Sequence, residues 1–394
     1  MASWTCRKWR LALRHHLHTL RLTGISKTEE FEFLLTNTIL QTTSLQNLHI
    51  SHNNRFAAVA VIAWLLHTGD SLRHLTYHVP ESTLHVNVLE RCARMKHLQS
   101  LDFSPSLTGY AFAASATAQW FPCLLSLTLS FIKVSASQLK SLVSACQMLE
   151  SFSLSSAIVT STDAHGTLHL TSSSLKSVKL ENMHLGSVIL EAYLLESLFL
   201  RRSTFSSLKL DNGGTGFRIL SIEHVDTEYF DIGQSYTGCC LYLEEVQVKE
   251  AGNPVWAAID SFLANPSAKL RNLQLMGIPM FPPPVNLNLD RIACLFPCLD
   301  HLSLGYTMVE DSLPVETQFG GCTVLEKVRF LELWFPQPIL DYTIVILMGE
   351  TLKRCPNLRK LQLTSLHDSI FRSEFMTSFV KLVLQFSHVH IQFA

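Results

Sequence analysis

An α/β solenoid of short stacked repeats is the fold class this sequence predicts, on three observations. Leucine supplies 65 of the 394 residues, far above its share in an ordinary globular chain. The pattern L-x-x-L-x-L, with other apolar residues admitted at its three fixed places, recurs from Leu17 to Leu363 at a nearly constant interval. Only 16% of residues are charged while 47% are hydrophobic, so the chain has a large core to bury. Length alone would suggest two or three domains of about 150 residues each. A repeat array removes that inference, because each unit packs only on its neighbours in one stack.

The units begin at Leu17-Leu20-Leu22 and continue at Leu45-Leu48-Ile50, Leu72-Leu75-Tyr77, Leu98-Leu101-Phe103, Leu124-Leu127-Leu129, Leu149-Phe152-Leu154 and Leu175-Val178-Leu180. The second half reads Leu195-Leu198-Leu200, Phe217-Leu220-Ile222, Leu243-Val246-Val248, Leu270-Leu273-Leu275, Leu299-Leu302-Leu304, Leu325-Val328-Phe330 and Leu358-Leu361-Leu363. Most intervals lie between 25 and 29 residues, with 20 and 22 in the middle and 33 at the end. The last two apolar residues of a unit are two apart, so on a strand they point to one side while the residue between them faces away. A lone unit buries too little to be stable, so neighbouring strands pair in parallel into one sheet. The result is a leucine-rich-repeat solenoid, a horseshoe with a parallel concave sheet.

The return segments follow from the space each interval leaves. Helices are predicted over 29–40, 56–67, 85–95, 136–146, 253–264, 287–296 and 339–354 on the convex side, with Leu139, Leu142, Val143 and Cys146 at helical spacing as core. Where the interval shrinks, no full helix fits. Leu168–Leu170, Ser187–Leu190, Ser207–Leu210 and Tyr229–Ile232 are therefore predicted as short convex strands in the middle units. A helix near 371–386 and an edge strand at His388–Phe393 complete the array, and Pro279–Pro284 is a loop inside it.

Composition also excludes function classes. Thirty-one basic against 32 acidic residues give a net charge of −1, unsuited to nucleic-acid binding through counterion release. The N-terminus has no apolar run of the signal-peptide type. Residues 103–132 lack formal charge, but Pro105, Gly109, Gln119 and Pro122 interrupt the run of about 20 apolar residues that a membrane span needs. No membrane partner is expected. The ten cysteines show no disulfide framework, which predicts reduced thiols and a place in the cytoplasm or nucleus.

No phosphate-loop, dinucleotide, zinc-protease or serine-hydrolase motif is present, so the chain is not expected to be an enzyme. Cys239-Cys240 and the Cys294, Cys298 pair lack a second pair at zinc-site spacing, so neither a metal nor a cofactor is expected. Gly213–Gly216 reads as a turn, and His15-His16 as a solvated helix end. Candidate binding residues lie instead on the concave face, at the places flanking the last two apolar residues of each unit. Serine dominates the middle of that face. A target protein is expected there, with Phe199 as an apolar anchor and His74, His78, Lys179, Glu181 and Arg201 meeting its polar groups.

Residues 5–17 place Cys6, Trp9, Leu13 and Leu17 on one helical face, an amphipathic cap running into the first repeat. Thr5-Cys6-Arg7-Lys8-Trp9-Arg10 followed by His16-Leu17-His18-Thr19-Leu20 resembles the end of the F-box in plant F-box/leucine-rich-repeat proteins. Val61-Ile62-Ala63-Trp64-Leu65-Leu66, Phe121-Pro122-Cys123-Leu124, Ser144-Ala145-Cys146 and Arg354-Cys355-Pro356-Asn357-Leu358 are similar to that family too. The resemblance implies residues 1–16 as the last helix of an F-box, truncated at the N-terminus, and 17–394 as the repeat domain. It further implies the substrate-recognition subunit of an SCF-type ubiquitin ligase, with Cys6, Trp9 and Leu13 toward a Skp-type adaptor and its cullin. The opening F-box helix of the family has no counterpart here. A repeat protein that binds or scaffolds without engaging the ligase is therefore the alternative.

Overall fold

The computed structural model describes residues 15–23, 29–51, 56–79, 88–105, 121–160, 167–211, 217–232, 242–279, 289–307, 323–335, 341–365 and 373–393. The chain falls into two compact units, Met1–Leu194 and Leu195–Ala394.

In the first unit, strands β1 (Thr19–Thr23), β2 (Asn47–Ser51), β3 (His74–His78), β4 (Ser100–Ser104) and β5 (Ser126–Ser130) pair in parallel and in order. The three-residue β6 (Lys133–Ser135) follows, then β7 (Ser151–Ser155) beside β5. After β8 (Ile158–Thr160) and β9 (Leu168–Ser172), β10 (Ser177–Glu181) joins β7. Leu20, Leu48, Leu75, Leu101, Leu127, Phe152 and Val178 stand in one register row. From Leu48 onward these side chains are at most 2% exposed. Burying each contributes about 1.5–3 kcal/mol, which is why the leucine places recur. A second parallel layer forms from β6 with β8, and from β9 with β11 (His184–Ala192).

The helices of this unit are α1 (Glu29–Gln41), α2 (Ala58–Thr68), α3 (Val88–Ala93) and α4 (Ala136–Ala145). α2 buries Ala58, Val61, Trp64, Leu65 and Thr68, a helical stripe. Trp64 packs edge-on against Phe56 with centroids 5.2 Å apart, and its Nε1 donates to Thr36 Oγ1 at 3.0 Å. α4 starts with a capping box between Ser135 and Gln138.

The second unit carries β12 (Ser197–Asp211), β13 (Ile219–Asp231), β14 (Glu245–Lys249), β15 (Asn272–Pro279), β16 (His301–Thr307), β17 (Phe330–Phe335), β18 (Lys360–Ser365) and β19 (His390–Phe393), paired in parallel in that order. Its helices are α5 (Asn253–Leu263), α6 (Leu289–Leu295), α7 (Asp341–Arg354) and α8 (Ser373–Gln385). The outer strands expected at 207–210 and 229–232 are the second halves of β12 and β13, which run through the corner unbroken. Gly213–Gly216 and most of the proline loop lie outside the described residues.

One repeat frame is corrected. Leu302 and Leu304 pair with Leu331 and Leu333, which pair with Leu361 and Leu363. The unit is therefore Val328-Leu331-Leu333, three residues later than the frame read from sequence, and the intervals around it become 29 and 30 residues. Both frames offer apolar residues at all three places. The earlier one would turn Leu331 and Leu333 away from the core, and pairing with both neighbours rules it out.

The corner after the strand is a second repeated device. Phe131, Ser156, Asn182, Arg202, His224, Glu250 and Gly277 each follow the last apolar place of their unit by two residues, and all have positive φ. The next residue then turns inward: Ile132, Met183, Ser203, Val225 and Ile278 are at most 3% exposed. At the opposite end, the Arg354–Leu358 turn before β18 is also structural. Buried Arg354 pairs with Asp290 and donates from Nε to the Thr323 carbonyl at 3.0 Å, while Asn357 donates to the Glu326 carbonyl at 2.8 Å.

Candidate partner-binding face

Helices and outer strands cover one face of each sheet, and the other face is open. Its residues alternate with the leucines, so the repeat that builds the core also spaces the surface groups about 4.8 Å apart from strand to strand. The open face differs in chemistry between the two units.

In the first unit it is mostly serine and threonine, from Ser100, Ser126, Thr128, Ser151, Ser153 and Ser177. His78 at the end of β3 lies 2.9 Å by its Nε2 from Asp102 Oδ1, without well-directed hydrogen-bond geometry. His49 meets His78 edge-on, with centroids 6.2 Å apart. Burial, then the Arg21 and His78 charges, hold the His49 imidazole below its ordinary pKa. His74 starts β3, exposed, between Asn47 and Ser100. Lys179 and Glu181 share β10 and pair at 2.5 Å.

The second unit's open face begins with Phe199, half-buried beside Ser221, and Arg201, whose Nε lies 3.4 Å from Glu223 Oε2. A ladder of side-chain hydrogen bonds follows. Ser221 donates to Gln247 at 3.1 Å, and Gln247 to Gln274 at 3.1 Å. Next comes a cluster that the frame error at β17 hid. Glu332 accepts from Ser303 at 3.0 Å, from Thr364 at 3.3 Å and from Gln362 at 3.4 Å. The His301 and Phe330 ring centroids lie 4.1 Å apart, and the Lys360 ammonium sits 5.1 Å from the centroid of the same Phe330 ring. Trp334 is half-buried over Gly305 and Met276.

His301, Ser303 and Glu332 have the composition of a nucleophilic triad but not its direction. His301 Nε2 lies 3.0 Å from Ser303 Oγ, but the Ser303 hydroxyl donates to Glu332 at 3.0 Å, so the carboxylate bonds the serine instead of orienting the imidazole, and Ser303 is fully buried. The group is a structural ladder under an aromatic and charged surface. Among the described residues no group of three or more His, Cys, Asp or Glu could hold a metal ion. The six described cysteines are free thiols, and burial pushes those of Cys92, Cys146 and Cys355 up to about 12, far from reactive. No described helix is long and apolar enough to cross a membrane.

Of the residues read from sequence, His74 and His78 share one strand, as do Lys179 and Glu181, and Phe199 and Arg201. All six sit on the open face. Cys6, Trp9 and Leu13 lie outside the described residues. Sequence reasoning missed Phe330, Glu332 and Trp334, which the frame taken from Leu325 misplaced and a frame taken from the interval to Leu358 would have found; it also missed Lys360, which flanks a unit whose frame was read correctly.

Parallel repeat strands with helices packed on one face and a polar, open face opposite define a leucine-rich-repeat solenoid. Residues 62–222 match the family described as "FBD-associated F-box protein At5g56370, LRR repeats". The whole chain aligns at 35% identity with the "F-box/LRR-repeat protein At1g67190" of Arabidopsis thaliana, covering 94% of that relative. The chain belongs to the plant F-box/leucine-rich-repeat proteins.

Proposed function

We propose that this chain recruits a target protein to an SCF-type ubiquitin ligase, holding the target on the open face while residues 1–16, with Cys6, Trp9 and Leu13, meet a Skp-type adaptor and through it a cullin. The observation that carries the reading is the full-length similarity to an F-box/LRR-repeat protein. In this role the chain positions and other subunits transfer ubiquitin, so its own surface needs anchors rather than catalytic groups. Phe199, Phe330 and Trp334 are the aromatic anchors, and His74, His78, Lys179, Glu181, Arg201 and Glu332 are the polar groups around them. The working compartment is the cytoplasm or nucleus.

The test is co-elution and calorimetry of the purified 394-residue chain with a plant Skp-type adaptor. Binding at micromolar affinity or tighter supports the reading. Absence of binding, with an adaptor-binding F-box protein as control, replaces it with a repeat protein that binds its target outside the ligase. Once a target is in hand, Phe199→Ala with Arg201→Ala, and separately Trp334→Ala, should each weaken it; unchanged affinity in both would move the contact off this face.

A further inference from the structure

The edge where the strands begin carries a charge ladder in the second unit. The residue after the first apolar place of each repeat reads Glu196, Arg218, Glu244, Arg271, Asp300, Arg329 and Arg359. Their backbones are fixed in sequence: each carbonyl accepts from the next unit's backbone, as in Arg329 N to Asp300 O at 2.9 Å and Arg359 N to Arg329 O at 2.8 Å. Acid and base alternate strictly until the last step. Arg218 binds Glu244 with both carboxylate oxygens, at 3.2 and 3.0 Å, and Arg329 pairs with Asp300 at 3.5 Å. Arg359 then stands where an acid is due. Neither Arg271 nor Arg359 has a carboxylate at ion-pair distance among the described residues, and Arg359 adjoins Arg329, a like-charge neighbour that costs stability.

A groove of about 620 Å³ opens at this point. Its charged lining is Arg271, Lys327, Arg329 and Arg359 against Asp300 and Glu326, an excess of two positive charges. Lys327 is held at the groove by its ammonium, 3.3 Å from Cys298 Sγ, and Asn357 adds an amide. The chain supplies every second member of the ladder except the one that this groove lacks.

We propose that the groove binds a phosphomonoester, whose charge near −2 at neutral pH completes the ladder. The arginine forks suit its oxygens, since guanidinium binds phosphate through two parallel donors. A single carboxylate would leave one positive charge uncompensated. A phosphorylated serine or threonine of a polypeptide and a small phosphorylated metabolite offer the same group. This site lies on the strand-start edge, and its existence does not depend on what the open face receives.

Calorimetry at fixed ionic strength would compare O-phosphoserine, a short phosphoserine peptide, the same peptide with serine and the same peptide with glutamate. The expected result is saturable binding of the phosphorylated probes only. Arg359→Glu continues the alternation, so this variant should be at least as stable as the parent yet bind at least about tenfold more weakly, the loss of a charge-assisted contact. If that variant does not fold, Arg359→Gln and Lys327→Gln give the same reading. A phosphopeptide tenfold tighter than phosphoserine, on the same scale, assigns the source to a protein; equal affinities assign it to a small molecule. The proposal is overturned by no saturable binding, by equal binding of the glutamate peptide, or by variants that bind as the parent does.

Discussion

At single residues, the open face of the second unit is held by close packing that leaves no slack. A Cβ on Gly305 would come within 2.7 Å of Trp334 Cε3 and 3.1 Å of Trp334 Cβ. Met276 Sδ, at 3.0 Å, ends a flexible side chain and could move, but the indole root cannot without shifting β17. Gly305→Ala is therefore expected to lower stability by about 1–3 kcal/mol. In a Trp334→Ala background the 2.7 Å contact with the indole is gone while the 3.1 Å contact with the Cβ remains, so the same change should cost less than in the parent, and urea midpoints of the four proteins give the coupling. His301 makes the pH dependence of this cluster predictable. Burial, and the Lys360 charge, depress its pKa against the opposing pull of Glu332 and Asp300. The unfolded chain takes this proton near pH 6.5, while the folded protein takes it only at lower pH. Between those values the unfolded state binds more protons, so stability falls as pH drops below about 6.5 and levels off beneath the folded pKa. His301→Gln should flatten that part of the curve, measured by urea midpoints between about pH 7.5 and 5; an unchanged slope would show that the ring is not desolvated.

Within elements, the repeat depends on a corner as much as on a strand. Gly277 has φ +82° and a Cβ there would lie 3.2 Å from Glu250 Cα, which is backbone. Gly277→Ala should cost about 1–2 kcal/mol, the left-handed penalty with no room to relax. Phe131 occupies the same corner at φ 54° and is 53% exposed, so Phe131→Gly relieves strain while loosening the unfolded chain. It should stay within about 1 kcal/mol of the parent, and thermal unfolding of both variants decides whether the corner is shared. This device was not legible in the sequence, since six different side chains precede the one glycine. The strands and helices were legible, because burial every second residue and every third or fourth leaves a periodic record: the helix expected at 136–146 is Ala136–Ala145, and that at 253–264 is Asn253–Leu263. Where two frames were both apolar, around Leu325 and Leu331, periodicity could not choose. Only pairing to Leu302 and Leu361 did, and with it Phe330, Glu332 and Trp334 came to the open face.

Across the whole molecule, a repeat stack makes stability a sum of unit terms and nearest-neighbour interfaces. Leu361 is fully buried between Leu331 of β17 and Ile391 of β19, and its register partners all lie in consecutive units. Leu361→Ala should remove about 2–5 kcal/mol from those interfaces. In a single cooperative core that loss would be felt everywhere. In a stack it should stay local, lowering hydrogen-exchange protection in β17, β18 and β19 while β2 to β5 keep theirs. Protection lost evenly along the chain would instead mean one folding unit, and the array would have to be treated as a single two-state domain. The distinction reaches function, because a locally frayed end can alter the groove at Arg359 without disturbing His78 and Asp102 on the first unit's open face. Binding measured separately at the two surfaces of Leu361→Ala should therefore diverge, with the phosphoryl probes losing affinity first.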